Sequence, residues 1–233
     1  ISHVRKRYGA ERFLVYFQAF TNTYAPVAEL ERLYGEALSF PEVIGLAIGT
    51  RPDAVDPEKI SLLEQLAKKH FILVEYGLQS IYDRSLEFIR RGHDYAAFRA
   101  AVEMTRERNI HIGAHLIAGF PTETRDETLA MASEISGLPI GFLKVHQLQV
   151  VRDTPLADYY RSHPFHVFSY QEYLDFIVDF IERTAPHVVF QRLFATAPDE
   201  ILIAPEWGKD RHRILRDIEA RLEERDAFDI NRS

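Results

Sequence analysis

Glu75, His115 and His146 are side chains of the types that hold a divalent metal as two imidazoles and one carboxylate. A carboxylate in the apolar run Phe71–Leu78 is costly unless paired. Glu75 is therefore read either as half of a buried ion pair, with Lys144 or Arg51, or as a contact to substrate or cofactor. The other polar residues gather in short stretches: Gln18-Ala-Phe-Thr-Asn-Thr-Tyr24, Gly49-Thr-Arg-Pro-Asp53, Glu75-Tyr-Gly-Leu-Gln-Ser80, His115-Leu-Ile-Ala-Gly-Phe-Pro121, Lys144-Val-His-Gln-Leu-Gln149 and Gln191-Arg192. No G-x-G-x-x-G, P-loop, nucleophile elbow or H-E-x-x-H occurs. The commonest dinucleotide, nucleoside-triphosphate, acyl-transfer and zinc-protease chemistries are thereby removed.

Each stretch closes or follows a β-branched and aromatic run: Phe13–Phe20, Val43–Gly49, Phe71–Leu78, Ile110–Ala118, Gly141–Val150 and Val188–Phe194. Helical patterns separate most of them. One begins near Pro26 with Val27, Leu30, Leu33, Ala37 and Leu38 in a stripe; another is capped by Asp56 before Pro57, with Ile60, Leu63, Leu66 and Ala67 on one side. Thr124 with Glu127 and Ser169 with Glu172 read as capping boxes, and Gly92, Asn109 and Gly137 as helix stops. Alternating β and α elements imply an α/β fold of parallel strands, either a partial or full barrel or a doubly wound sheet, with its chemistry at the carboxyl ends of the strands. Strand alternation then puts Glu75, Gly77 and Gln79 on one face, as it does His111, Gly113 and His115, and Lys144, His146 and Leu148.

The 233 residues carry 28 basic and 35 acidic side chains, a net charge of −7, with 46% hydrophobic residues and no cysteine. Disorder, disulfides, thiol nucleophiles and thiolate-held clusters within these residues are excluded. The sequence lacks a membrane span and a signal-peptide core, so a cytoplasmic protein with no membrane partner is expected. Some polar residues have plain structural readings: His111 as a satisfied strand histidine, Asp94 as a helix N-cap after Gly92 and His93, Asp53 as a turn residue after Pro52. Trp207 to Phe228 reads as an amphipathic helix with Ile214, Leu215, Ile218 and Leu222 in its stripe, and Tyr159, Tyr160, Phe165, His166 and Phe168 as packing for the C-terminal helices.

In order and separation, Gly49-Thr-Arg-Pro-Asp53, Val74-Glu-Tyr-Gly-Leu-Gln-Ser80, Arg91-Gly-His93, Gly113-Ala-His-Leu-Ile-Ala-Gly-Phe-Pro121, and Leu143-Lys144 leading to Arg152-Asp-Thr-Pro155 resemble the radical S-adenosylmethionine superfamily. The likeness is to the elongator and oxygen-independent coproporphyrinogen oxidase branch, and within it to an uncharacterised bacterial Fe–S oxidoreductase family sharing the run at Tyr16–Tyr24. The resemblance implies a partial TIM-like β/α barrel with a C-terminal helical extension, within a single domain spanning 1–233: barrel over 13–160, covering helices and strand over 161–233. It also implies S-adenosylmethionine and a [4Fe–4S] cluster as cofactors, a 5′-deoxyadenosyl radical, a tRNA or small-molecule substrate, and a reductant such as flavodoxin or ferredoxin. By position, Gln18, Ala19, Phe20 and Thr21 stand where relatives present a glycine-rich backbone to the methionine amine; the glycines are absent here, leaving main-chain carbonyls. Gln79 matches a ribose- or methionine-contacting glutamine and Arg91 the clamp on the methionine carboxylate. His115 matches a ribose contact, Ile117 to Phe120 the adenine wall, and Leu148 and Gln149 the backbone at the adenine edge.

The structural alternatives are that Arg91 neutralises the end of its own helix and that Gln79 caps the next one. The family holds its cluster with C-x₃-C-x₂-C after the first barrel strand. The resemblance therefore places those cysteines upstream of Ile1 and leaves this segment inactive alone. Two other classes stay open: a metal-dependent barrel hydrolase or lyase using Glu75, His115 and His146, and a non-catalytic RNA- or protein-binding barrel drawing on Arg5, Lys6, Arg7, Arg90 and Arg91.

Overall fold

The computed structural model describes residues 2–225; the end of the expected tail helix, to Phe228, lies outside them. Six strands form one sheet in the order β1-β2-β3-β4-β5-β7: β1 Phe13–Phe17, β2 Val43–Thr50, β3 Phe71–Gln79, β4 His111–Ala118, β5 Phe142–Gln147 and β7 Val189–Arg192. β6 (Val150–Val151) and β8 (Leu202–Ala204) pair antiparallel as a separate ribbon. The helices are α1 (Ser2–Tyr8), α2 (Val27–Leu38), α3 (Pro57–Ala67), α4 (Asp83–Phe88), α5 (Tyr95–Thr105), α6 (Arg125–Ser136), α7 (Pro155–Ser162), α8 (Tyr170–Glu182) and α9 (Arg211–Glu224). The chain divides into two compact units. The first runs to Gln79 and takes in His93–His115 and Pro139–Phe142; the second holds Ser80–Gly92, Leu116–Leu138 and the chain from Leu143 onward.

In the first unit β1, β2 and β3 are parallel, and the register sets Gly45 opposite Phe71, Ala47 opposite Leu73 and Gly49 opposite Glu75. One face packs on helices: Phe17 meets Tyr34 of α2 edge-on at 5.2 Å, and Tyr76 meets Phe98 of α5 at 6.3 Å while its hydroxyl bonds Thr105 at 2.7 Å. The helices start where their caps dictate. Asp56 and Asp94 accept the amides of Lys59 and Ala97, and Pro26 stands just before α2 rather than inside it. The first strand stops at Phe17, three residues short of the apolar run, because Phe20 adopts φ +63° and turns the chain away.

The second unit has an aromatic core. Tyr173, Phe176 and Phe180 of α8 are buried, with Phe168 5.0 Å from Phe176 and Trp207 5.0 Å from Tyr173. Tyr160 and Phe165 pack with Val150, Ala157 and Ala204, so these aromatics do line the C-terminal elements. Both capping boxes form, at Thr124 and Ser169. α9 buries Ile214, Ile218 and Leu222, and Arg221 and Arg225 tie it to Asp175 and Asp179 of α8.

Gly45 sets the tightest constraint. A Cβ there would fall 1.9 Å from the Phe71 carbonyl oxygen, which only strand separation relieves. Gly45→Ala is expected to lower stability by about 1–3 kcal/mol, read as the urea midpoint; an unchanged midpoint would mean the β2–β3 spacing is soft.

Candidate functional site

In the first unit the strand ends are fastened to one another. The Asn22 side-chain amide donates to the carbonyls of Phe17 (3.0 Å) and Gly49 (2.8 Å), stapling the loop Gln18–Thr21 over β1 and β2. Below it, the Thr23 hydroxyl donates to the Ala54 carbonyl at 2.8 Å and accepts from Thr50 at 2.6 Å. Within the loop Gln18, Ala19 and Phe20 are exposed and Thr21 is half-buried. Arg51 grips Asp53 with two bonds, 2.8 and 2.5 Å, and this pairing, helped by the charge of His93, holds the Asp53 carboxyl below its ordinary range. His93 presents Nε2 to the Gly77 carbonyl at 3.2 Å, so three of the quoted stretches converge at the end of β3.

The same strand carries Glu75, 7% exposed, on the face turned from α5. A Cβ on Gly113 of β4 would sit 3.3 Å from the Glu75 Cγ and 3.5 Å from Leu73, so glycine is what leaves room for the carboxylate. Gln79 ends β3 at φ +72°, a left-handed conformation costing a non-glycine residue on the order of 1–2 kcal/mol. Its Oε1 is buried and accepts no hydrogen bond among the described residues. It does not cap the following helix: α4 begins at Tyr82 without a side-chain cap bond. His115 is half-buried two residues beyond Gly113 on β4, and His111 stacks on Phe71 at 4.4 Å, a packing role.

The second unit holds the remaining expected residues. Arg91 lies between two left-handed residues, Arg90 (φ +51°) and Gly92 (φ +78°), and its N–H donates to the Leu86 carbonyl at 2.9 Å, which fixes the turn that carries it. Ile117 is half-buried and Phe120 buried. Gly119 (φ +93°) is held against the Phe168 ring, 2.9 Å from where a Cβ would stand. The Leu148 N–H donates to the Ala118 carbonyl at 2.7 Å. Gln149 lines a cavity of about 640 Å³ with Gln147, Trp207 and Asp210. Glu123 accepts from Ser80 (2.5 Å) and Thr128 (3.1 Å), and burial raises its carboxyl above the ordinary range despite those bonds.

Among the described residues no three His, Asp or Glu side chains form a group able to hold a metal ion, so Glu75, His115 and His146 do not make the facial site weighed as an alternative. Sequence reading passed over Asn22, Glu123 and Gln147. Asn22 stood within a quoted run, but its role depends on the facing carbonyl of Gly49. Gln147 clamps Ala195 in both directions, a contact 48 residues away that no local pattern announces.

The sequence model described as the radical SAM superfamily matches residues 1–135. The chain belongs to the radical SAM superfamily. The radical SAM C-terminal domain matches residues 140–224. The chain is 34% identical over 223 residues to the uncharacterized protein MJ0486 of Methanocaldococcus jannaschii, covering 95% of this chain and 69% of that one. It is 26% identical over 137 residues to the tRNA uridine(34) acetyltransferase of the same organism, 58% of this chain and 25% of that one. Among solved structures it superposes on the archaeal Elp3 of Methanocaldococcus infernus with TM-score 0.83 at 17% identity, over 96% of this chain and 57% of that one. That likeness fixes the fold as a partial α/β barrel of the radical SAM kind, the class expected from the strand-end motifs.

His146 gives the site region a pH signature. Its Nδ1–H donates to the Gln147 carbonyl at 2.9 Å, while burial first, and the charge of Arg192 after it, push its pKa below 6.5. The unfolded chain thus takes up a proton at a pH where the folded one does not, so this histidine's neutral burial costs stability as pH falls through about 6.5 toward the lower folded-state value. His146→Asn is expected to flatten the loss of urea midpoint between about pH 7 and pH 5; an identical slope in both proteins would assign the loss elsewhere.

Proposed function

We propose that this chain is the cofactor-positioning barrel of a radical SAM enzyme acting on tRNA, and that it binds S-adenosylmethionine at its strand ends. The observation that carries the reading is Gln79: a strained backbone and a buried amide oxygen with no hydrogen bond together hold a polar group ready for a ligand. Gln79 would accept from the ribose or methionine end, and Arg91 would clamp the carboxylate. His115 would meet the ribose, Ile117 and Phe120 would wall the adenine, and the backbone of Leu148 and Gln149 would meet its edge. The carbonyls of Gln18, Ala19, Phe20 and Thr21, held in place by Asn22, suit the methionine amine. The chemistry that S-adenosylmethionine supplies when bound and reduced is hydrogen-atom abstraction by a 5′-deoxyadenosyl group. The tRNA assignment draws on the tRNA-directed relative.

A [4Fe–4S] cluster does not fit the donor set of this chain. Such clusters take thiolates, and the 233 residues contain no cysteine. The chain's own residues therefore bind and orient, and we assign them no electron transfer. Reduction would call on ligands these residues lack and on a reductant of the flavodoxin or ferredoxin class.

Calorimetry with S-adenosylmethionine tests the reading. Gln79→Ala is expected to weaken binding about tenfold. Gln79→Gly is expected to lose the same affinity while gaining roughly 1 kcal/mol of stability, because glycine relieves the left-handed backbone. No binding by the parent chain, or unchanged affinity in both variants, overturns the assignment. Anaerobic reconstitution of the chain with iron and sulfide is expected to give no charge-transfer band near 400 nm, roughly where thiolate-held clusters absorb; such a band would show that other ligands serve.

A further inference from the structure

The cavity lined by Gln147, Gln149 and Trp207 has a wall of unequal stiffness. Gln147 is spent on Ala195, donating to its carbonyl at 2.8 Å and accepting from its N–H at 3.2 Å. Gln149 reaches that same carbonyl only at 3.4 Å, where Gln147 already satisfies it, so its amide can turn to a ligand at little cost. Trp207 is preset: its indole N–H donates to the Phe168 carbonyl at 3.0 Å and its ring rests on Tyr173. About 640 Å³ is a small-ligand volume, and an aromatic ring beside a movable amide is what stacks on a flat heterocycle and reads its edge.

Asp199, Glu206 and Asp210, all exposed, line the cavity together with Lys209, so acids outnumber cations in the lining and N–H donors are favoured there over phosphate. Lys209, itself part of the lining, and Arg211, His212, Arg213 and Arg216 after it are all exposed, and of these five only Arg213 makes an ion pair among the described residues, to Asp217 at 2.8 Å. From Lys209 to Asp217 four full positive charges face two negative ones, in a chain whose net charge is −7. The first turn of α9 carries Arg211, His212 and Arg213 and no acid, the sign that a helix amino terminus disfavours. Arg213 pairs with Asp217 of its own helix and the Lys209 ammonium lies 5.8 Å over the Tyr170 ring, whereas Arg211, His212 and Arg216 have no ion pair among the described residues; a polyanion on the surface would account for these three.

We propose that this cavity receives one unpaired base of an RNA while the flanking phosphates lie on the cationic run from Lys209 to Arg216. The proposal rests on the tRNA reading above and assigns that substrate a docking place. Fluorescence anisotropy of the 233-residue chain with a labelled RNA stem carrying an unpaired loop, and with a fully paired RNA of equal length, tests it. The loop RNA is expected to bind roughly tenfold tighter than the duplex, and the triple variant Lys209→Glu, Arg211→Glu, Arg216→Glu to weaken it at least about tenfold and to lower the salt slope by about two. A 2-aminopurine in the loop is expected to change fluorescence on binding, and Gln149→Leu to remove that change; this variant spares the packed Trp207, and its fold is checked by circular dichroism. Equal binding of duplex and loop, indifference to the charge reversal, a fluorescence change that survives Gln149→Leu, or no RNA binding each overturns the proposal. S-adenosylmethionine binding measured on the same samples separates the two readings. Cofactor retention without RNA binding sinks only the docking site, and RNA binding without cofactor sinks only the cofactor reading.

Discussion

The approach of β2 to β3 at Gly45 is the constraint on which the first unit depends. With no Cβ at that position the Phe71 carbonyl can come close, and the register that follows places Gly49 across from Glu75. Gly113 then leaves the space into which the Glu75 side chain fits. A buried carboxylate in the middle of a parallel sheet is tolerated only where its surroundings are fixed, because a small shift would leave it in an apolar environment at a cost of several kcal/mol. Glycine in consecutive strands therefore does more than relax the backbone. It allows charge on a face that would otherwise be filled by branched side chains.

Against that rigid background Gln79 is expensive twice, once in backbone conformation and once in a buried oxygen without a hydrogen bond. Neither cost is repaid as a helix cap, since α4 starts without a side-chain cap bond. Strain of this sort persists where surrounding structure over-determines a residue, and binding sites are where such residues gather. Arg91 shows the same economy in milder form: two left-handed neighbours shape its turn, one of them a glycine for which that conformation is free. Gln79 is thus distinguished by what it costs, and stability alone would have selected another residue there.

Much of this was legible in the sequence because the signals were local. Asp56, Asp94, Thr124 and Ser169 cap the helices they announce, and the β-α succession with polar strand ends gave the fold class. The Phe13–Phe20 run was overextended because hydropathy cannot see a left-handed Phe20, fully exposed at the tip of its loop. The metal alternative failed for a related reason: strand alternation says which residues share a face, but not whether three side chains meet. Contacts such as Gln147 with Ala195 join residues far apart and carry no periodic mark. Leu215 was placed in the buried stripe of the last helix, yet the buried positions are Ile214, Ile218 and Leu222, a strict spacing of four.

A TM-score of 0.83 at 17% identity shows how little of the fold depends on particular side chains. Sharing a fold therefore says little about substrate, which depends on groups carried by loops and appended elements. The docking place we propose falls in the stretch matching the C-terminal domain, residues 140–224, where an acidic cavity adjoins exposed cations. A molecule that satisfies both must bring a neutral or donor-rich part joined to a polyanionic one. A small metabolite of uniform charge meets only half of that requirement, whereas an unpaired base on a phosphate backbone meets all of it.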